Sequence, residues 1–458
     1  MTTKQNDNEN EEQQKTVETV SLDSAPRILA VPTPAETISF SEWRAVINDN
    51  FPDLLFAAEI GLSIIAQILI KDVTNPFALV LVDVPSAGKT ITINFFSEIE
   101  GLTYATDKFT PASFVSNAAN VKKEKLREVD LLPRLQYKLF LIRDLATLFS
   151  KRDDDLNECL GILTRVLDGE GFNTDSGIHG QRQYVGEYLF MVLAASTPIP
   201  PRVWKMMGNL GSRLFFLNMN SKDKSEDELA EQLGSTAYKT KEKACKTVTK
   251  QLLETLWSKY PEGLDWDNSQ DERDLKLIIA RCARLLACLR GVINLWKDRG
   301  EDGTEYSYTT PTVEKPDRIN QLFYNLCRGH ALVNGRTQLT KDDVRLAIEL
   351  AIDSAPTVRT RLFRALLELD GEICTTEVEA VLNCSKPTAL KEMESLKILG
   401  LCTISQESQG RVGEPEKIMK LDSSFDWFLS DECKAIRNSD APTTNKENLT
   451  LWKEEAMT

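Results

Sequence analysis

The sequence is poor in metal-binding side chains and has no paired cysteines. It contains nine cysteines without a CxxC pair and only two histidines among 458 residues. A structural zinc site is therefore not expected. An odd number of cysteines without a secretory signal indicates reduced thiols, so we expect a cytoplasmic protein.

An excess of positive charge is also missing. Lys and Arg number 55 against 69 Asp and Glu, which gives a formal net charge of -14. This sign excludes a protein that coats DNA through its overall electric field. Any contact with nucleic acid must therefore be local.

Long apolar runs are scarce as well. One stretch, residues 54–70, raises the question of a membrane span. It is shorter than the ~20 residues that a bilayer requires, and Glu59 and Gln67 interrupt it. We expect a buried helix there and no membrane partner.

Four short, wholly apolar runs predict buried strands. They cover residues 77–82, 139–142, 189–194 and 214–217. Helix-like segments separate the first three, and strands buried on both faces are typical of a parallel sheet covered by helices. The sequence therefore predicts an α/β fold with a parallel sheet and flanking helices.

Helices dominate after the fourth strand. They are predicted over 271–296, 317–332 and 341–352, and Thr340 and Asp343 stand at capping-box spacing before the last one. Farther along, three helices and then two strands are predicted over 358–369, 375–382, 386–399, 401–404 and 417–421. That order predicts a winged helix-turn-helix after an α-helical lid.

The first predicted strand is followed directly by Asp83-Val84-Pro85-Ser86-Ala87-Gly88-Lys89-Thr90 and then by a helix-like segment. This run matches the phosphate-binding pattern G-x-x-x-x-G-K-[ST] except at its first position, where Asp83 replaces glycine. The loop from Pro85 to Gly88 would surround the phosphates of ATP, with the amides of Ser86, Ala87 and Gly88 as donors, Lys89 would reach the terminal phosphates and Thr90 would bind Mg²⁺. A carboxylate at position 83 would repel phosphate unless it points away.

Hydrolysis also requires a carboxylate at the end of a neighbouring strand to hold the metal. The second predicted strand ends at Arg143-Asp144, so Asp144 is the candidate Mg²⁺ ligand beside Thr90. It has no acidic neighbour, because Leu145 follows it. Asp144 either holds the metal, polarises water, or is an ordinary aspartate at a strand end.

Two more polar positions lie at the ends of predicted strands. Ser196 and Thr197 follow the third strand, where a hydroxyl such as that of Thr197 could face the γ-phosphate. Arg213 stands in a Gly-rich loop before the fourth strand. It could reach a neighbouring subunit's nucleotide as an arginine finger or lie on the surface as an ordinary arginine.

Taken together, these motifs and the helical lid look like the AAA+ superfamily. The Ser212-Arg213-Leu214-Phe215 step, the lid and the terminal winged helix are particularly similar to minichromosome-maintenance helicases and archaeal origin-recognition ATPases. The resemblance implies that Arg213 is a finger acting in trans, hence a homo-oligomer, and that Arg318 is a sensor-2 arginine. It also implies a DNA-contacting hairpin within 171–186 that carries Arg182; a solvent-exposed loop is the alternative.

Winged helices contact DNA through the third helix and the wing. Lys386, Thr388 and Lys391 lie on that helix and Arg411 lies in the wing. Acidic residues dilute the positive charge of the helix, and winged helices also bind proteins, so both kinds of partner stay open.

The chain thus divides into five predicted parts. They are a disordered tail (1–36), a P-loop ATPase domain (37–218), a helical lid with a charged insertion (219–354), a winged-helix domain (355–430) and a flexible tail (431–458). We expect an ATP- and Mg²⁺-dependent ATPase that acts on DNA, helicase-like or associated with replication. The alternatives are a nucleotide-gated scaffold that does not hydrolyse ATP and a chaperone-type ATPase that remodels proteins.

Overall fold

The structure is a computed structural model. It describes residues 26–32, 34, 36–116, 122, 125–176, 180–211, 213–219, 221, 223–233, 237–297, 306–407 and 416–438. The strands within these ranges are β1 (Ala78–Val82), β2 (Thr103–Thr106), β3 (Leu139–Ile142), β4 (Gly171–Ser176), β5 (Gly180–Val185), β6 (Met191–Ser196), β7 (Leu214–Asn218), β8 (Leu295–Lys297), β9 (Tyr306–Tyr308), β10 (Glu372–Cys374), β11 (Cys402–Glu407) and β12 (Glu416–Leu421).

The helices of the first half surround the sheet and lead out of it. They are α1 (Phe40–Asn50), α2 (Leu55–Ala66), α3 (Lys89–Asn94), α4 (Leu126–Val129), α5 (Leu131–Leu135), α6 (Ala146–Phe149), α7 (Asp153–Val166), α8 (Pro201–Leu210), α9 (Glu226–Leu233) and α10 (Ala237–Lys259). The helices of the second half are α11 (Arg273–Leu289), α12 (Asp317–Val333), α13 (Lys341–Asp353), α14 (Thr357–Glu368), α15 (Thr375–Leu382), α16 (Lys386–Ile398) and α17 (Asp431–Asn438).

Five parallel strands form the central sheet in the order β2-β3-β6-β1-β7. The α/β fold and the four predicted strands are confirmed, as β1, β3, β6 and β7. The register pairs Val82 with both Ser196 and Asn218, so the carboxyl ends of these strands meet at one edge. The sequence gives no apolar run for β2, because Thr103-Tyr104-Ala105-Thr106 is an edge strand that is only partly buried.

Side chains that alternate along the strands fill two cores, one on each face of the sheet. In β1, Leu79 and Leu81 belong to the core shared with α2 and the second-half helices. Ala78, Val80 and Val82 face the other core, which contains side chains of α5, α7 and α8. This alternation explains why each strand is apolar along its whole length.

The apolar stretch Pro52–Leu69 is long enough to cross a membrane by length and composition, and 78% of it is buried inside the protein. It consists mainly of α2, which packs against α12. The predicted buried helix is therefore confirmed. The predicted cap of α13 is confirmed too, since Thr340 and Asp343 form a capping box.

The C-terminal part contains the three predicted helices, as α14, α15 and α16, and the two predicted strands, as β11 and β12. A third strand, β10, was not expected; it joins them in an antiparallel sheet of order β10-β12-β11. β10 has only three residues and no apolar run, so the residue pattern could not predict it.

Parts of both predicted tails are ordered. Arg27 donates hydrogen bonds to the backbone oxygens of Ile68, Ile70 and Val73 and pairs with Glu187, which fastens the chain before α1 to the domain. Residues 431–438, predicted as flexible, form α17. The burial of Cys433 and Ile436 on one face of α17 explains its order. The rest of the tails, residues 1–25 and 439–458, lie outside the described residues.

Candidate functional site

The phosphate loop, residues 83–90, connects β1 to α3 at the carboxyl edge of the sheet. Gly88 caps α3 with a left-handed backbone (φ +83°), and a Cβ there would lie 2.7 Å from Cδ2 of Leu54. Both observations require glycine at position 88. Ser86 also has a positive φ of 68°, a strained conformation of the kind that clusters at functional sites. α3 begins at Lys89 and ends at Asn94.

Lys89 is folded back onto its own loop. Its Nζ donates hydrogen bonds to the backbone oxygens of Asp83 at 2.8 Å and Val84 at 2.5 Å, and the residue is only 8% exposed. Burial lowers the pKa of Lys89, and the charges of Asp83 and Asp144 oppose that shift. Asp144 therefore lies within electrostatic reach of the Lys89 ammonium, and the assignment of both residues to one site stays a prediction.

Asp83 does not direct its carboxylate at Lys89. Oδ1 accepts a hydrogen bond from the Val84 amide at 2.7 Å, and Oδ2 accepts one from the Ser221 amide at 2.9 Å. The backbone of Asp83 is not in the left-handed region, unlike that of Ser86 or Gly88. The first position of the loop thus has no conformational need for glycine in this chain.

Asp144 and Thr90 are both exposed at this edge. One oxygen of Asp144 accepts a hydrogen bond from the Ala146 amide at 2.7 Å, which fixes the carboxylate at the end of β3. A hydroxyl and a carboxylate are oxygen ligands of the kind that Mg²⁺ prefers, and Mg²⁺ usually keeps several waters besides one or two carboxylates.

Ser196, rather than Thr197, is the buried hydroxyl at the end of β6. Ser196 is 2% exposed, and its Oγ has no hydrogen-bond partner in the described part of the chain. Thr197 follows the strand and is half-buried. Buried hydroxyls are normally satisfied, so an orphaned one beside the phosphate loop indicates a place for a polar ligand.

Arg213 lies at the opposite, amino edge of the sheet, because it precedes β7 and Leu214 pairs with Ala78 at the start of β1. Its guanidinium is 9% exposed and pairs with Asp168 at 3.1 Å. Burial lowers the pKa of Arg213, and the nearby charge of Arg318 lowers it further. Arg213 and the exposed Arg318 are therefore neighbours. The length of the sheet strands separates Arg213 at the amino edge from Lys89 at the carboxyl edge.

Arg182 on β5 is not available as a DNA contact in this structure. It is 8% exposed and forms an ion pair with Asp130, which is fully buried. It also donates to the backbone oxygen of Ser116, and Tyr184 donates to Asp130 at 2.5 Å. A hairpin is present, as the resemblance implied, but Arg182 fastens it to the chain before α5. A single arginine between glycines gave no sign of this buried partner.

The predicted DNA contacts on α16 are exposed. Lys386, Thr388 and Lys391 are all at the surface, and Thr388 Oγ1 lies 3.2 Å from Ser385 Oγ. The β8–β9 hairpin approaches the start of the helix, where the Tyr306 hydroxyl donates to the backbone oxygen of Pro387 at 3.2 Å. Arg411 lies outside the described residues.

Sequence reasoning missed a buried ionic cluster that joins α12 and α13 to α2. His330 contacts Asp343 through Nδ1 at 2.6 Å and Glu59 through Nε2 at 2.8 Å. Arg336 pairs with Asp343 at 2.6 Å and Arg345 pairs with Glu59 at 3.3 Å. A neutral imidazole has one N–H and cannot donate to two carboxylates, so this geometry requires the charged form.

The pKa of His330 agrees with that geometry. Burial alone would lower it, but hydrogen bonds to Asp343 and Glu59 outweigh burial and the pKa is raised. Leu54, whose side chain lies beside Gly88, directly precedes α2, so the cluster and the phosphate loop both adjoin this helix.

No family model and no curated protein matches this sequence. Among solved structures, the chain is similar to the crystal structure of a full-length MCM homologue from Methanopyrus kandleri, with 12% sequence identity and a TM-score of 0.36. The match covers 70% of this chain and 63% of that chain, so less than two thirds of the other protein is spanned. A likeness at this level carries no argument about activity.

Proposed function

We propose that this protein is an ATPase of the AAA+ type that binds ATP with Mg²⁺ and acts on DNA as an oligomer. The observation that carries the proposal is the phosphate loop at the carboxyl edge of a parallel sheet. Gly88, Lys89 and Thr90 follow the buried strand β1 there, and Asp144 follows β3, which β6 separates from β1, within electrostatic reach of Lys89. Ligands of open parallel sheets bind at this edge.

The residues fit a nucleotide and its metal. Lys89 would be the cation for the terminal phosphates, and the Oγ of Ser196, buried without a partner at the end of β6 in the described part of the chain, could donate to the γ-phosphate. Thr90 and Asp144 would hold Mg²⁺, which, when bound, neutralises developing charge on the phosphates. Asp144 would also orient water, since Arg143 and Leu145 flank it and no second acid does.

The distance between Lys89 and the arginines of the amino edge supports assembly into an oligomer. The described chain brings no arginine of its own amino edge to Lys89, because a five-residue strand separates the two edges by about 13 Å. In the proposed oligomer, Arg213 and Arg318 of one subunit complete the site of the next. Arg213 would there exchange its ion pair with Asp168 for one with the phosphates of the neighbouring site.

DNA is the proposed substrate of the C-terminal module, residues 357–438. Three helices followed by an antiparallel hairpin support its interpretation as a winged helix, and Lys386 and Lys391 are exposed on its third helix. A protein-remodelling ATPase and a scaffold that does not hydrolyse ATP are the rival functions.

Nucleotide binding and turnover with and without single-stranded DNA test the proposal. Wild-type protein should bind a fluorescent ATP analogue and release phosphate faster with DNA, and Lys89→Ala should lose both activities. Lys108→Ala, an exposed lysine of the same domain, is the matched control. Binding without turnover under any condition would favour the scaffold, and turnover that no DNA stimulates would favour protein remodelling.

A further inference from the structure

Asp83 stands where the phosphate-binding pattern has glycine, and both of its carboxylate oxygens are engaged. One bond stays within the loop, to the amide of Val84. The other reaches the segment that follows β7, at the amide of Ser221. A glycine at position 83 could make neither bond.

The predicted lid contacts the end of β7, directly before this segment. The Asn218 amide donates to Asp353 Oδ2 at 2.9 Å, and Asp353 is the last residue of α13. Between these contacts, the Met219 amide donates to the backbone oxygen of Val82 at 3.1 Å. A few residues thus connect the phosphate loop to a buried carboxylate of the lid.

The same carboxylate continues to the C-terminal module. Asp353 Oδ1 accepts a hydrogen bond from Arg364 of α14 at 2.7 Å, and Arg364 also pairs with Glu349 at 3.0 Å. Glu349 pairs in turn with Arg437 of α17 at 2.8 Å. Burial raises the pKa of Glu349, but the two arginines outweigh burial and lower this pKa to about 2. Charged groups with fixed partners therefore extend from α13 to α17.

Lys89 links this chain of contacts to the ligand. Its Nζ holds the backbone oxygen of Asp83, the residue whose carboxylate holds Ser221. To reach phosphate oxygens, the ammonium must exchange the carbonyls of Asp83 and Val84 for those oxygens. Ligand entry therefore removes one restraint on Asp83.

We propose that Asp83 is a positioning residue that couples nucleotide occupancy of the phosphate loop to the position of the lid through Ser221 and Asp353. The inference rests on the proposed function. Nucleotide releases Lys89 from the Asp83 carbonyl, Asp83 shifts, and the segment after β7 carries the shift to α13. Coupling of this kind is a difference in free energy between two states, so it must appear as a nucleotide-dependent change at the lid.

Hydrogen exchange measured by mass spectrometry, with and without Mg²⁺ and the non-hydrolysable analogue AMP-PNP, tests the coupling. In the wild type, the analogue should change exchange in peptides covering 213–221 and 341–356. Asp83→Gly should still bind the analogue, because the Asp83 carboxylate is engaged by the Val84 and Ser221 amides and not directed at Lys89. The nucleotide-dependent change at 341–356 should disappear in this variant.

Ser221→Pro and Ser221→Ala form a matched pair. Proline removes the amide that Asp83 accepts from and leaves the phosphate loop intact, whereas alanine keeps the amide. We expect the proline variant to bind the analogue like wild type without the change at 341–356, and the alanine variant to retain both.

The outcomes separate the two proposals. A wild-type protein that binds no nucleotide overturns the proposed function and the coupling with it. Binding without a change at 341–356, or the same change in Asp83→Gly and Ser221→Pro, overturns the coupling alone. Loss of binding in Asp83→Gly also overturns it, because Asp83 would then belong to the ligand site itself.

Discussion

The two edges of the central sheet carry polar groups in opposite states. At the carboxyl edge, Thr90 and Asp144 are exposed and Ser196 has an orphaned hydroxyl. At the amino edge, Arg213 is buried and paired with Asp168. The proposed function assigns the polar groups of the carboxyl edge to an anion and its metal, and the paired arginine of the amino edge to the site of another subunit. In the proposed oligomer, the carboxyl edge of one subunit and the amino edge of the next would form one site.

The largest expected effect comes from the amino edge. Arg213→Ala should leave nucleotide binding within about 3-fold of wild type while ATP turnover falls by about 10³-fold, the range known for an arginine finger. Steady-state phosphate release and binding of a fluorescent ATP analogue measure the two quantities. Arg213→Lys is the control, since it keeps the charge without the planar fork and should recover little.

An Arg213→Ala protein with wild-type turnover would contradict a catalytic role for Arg213. The ion pair with Asp168 would then give Arg213 a structural role. In that case a loss of stability without a loss of turnover should appear in thermal unfolding.

The next effect tests the shape of the carboxyl edge. Gly88→Ala forces a side chain into a left-handed backbone and against Leu54, so the free energy of unfolding should fall by about 1–3 kcal/mol and nucleotide binding should be lost. Urea unfolding and analogue binding measure these changes. Adding Leu54→Ala removes the contact but not the backbone strain, so it should restore only part of the stability. Wild-type stability in Gly88→Ala would show that the loop is not held as described.

Residue patterns predicted the two edges unequally. The apolar runs were sufficient to predict β1 and β3, because local chemistry fixes them, and the roles of Lys89, Thr90 and Asp144 at their ends stay predictions. The partners of Arg182 and Arg213, namely Asp130 and Asp168, lie 52 and 45 residues away in sequence. Only the tertiary fold brings such pairs together, and no local spacing encodes them.

A smaller effect concerns the buried ionic cluster around His330. His330→Gln should lower the free energy of unfolding by about 3 kcal/mol at pH 6, because two buried carboxylates lose a charged partner. The raised pKa of His330 gives the direction of the pH dependence. Its stabilisation is complete below the unfolded value, about 6.5, and is lost as pH rises through the folded pKa.

The difference between His330→Gln and wild type should therefore shrink from pH 6 to pH 9 in urea unfolding. Lys341→Gln, which breaks an exposed pair with Glu432, is the control and should change stability by less than about 1 kcal/mol. A difference that grows with pH would contradict a charged His330.

The smallest effect lies outside both edges. Lys391→Ala on α16 should weaken duplex DNA binding a few-fold and reduce the slope of log affinity against log salt by about 1. Fluorescence anisotropy over a salt series measures both. Lys434→Ala on α17, which pairs with Asp370, is the control. An unchanged slope would leave α16 as a protein-binding helix.

Mixing two inactive variants tests the account most directly. Lys89→Ala lacks a working carboxyl edge and Arg213→Ala lacks a working amino edge, so each should have little ATPase activity alone. In mixed oligomers, an intact Lys89 of one subunit meets an intact Arg213 of the other, and turnover should rise well above the sum of the separate proteins. Co-assembled mixtures whose turnover equals that sum would contradict a site built from two subunits.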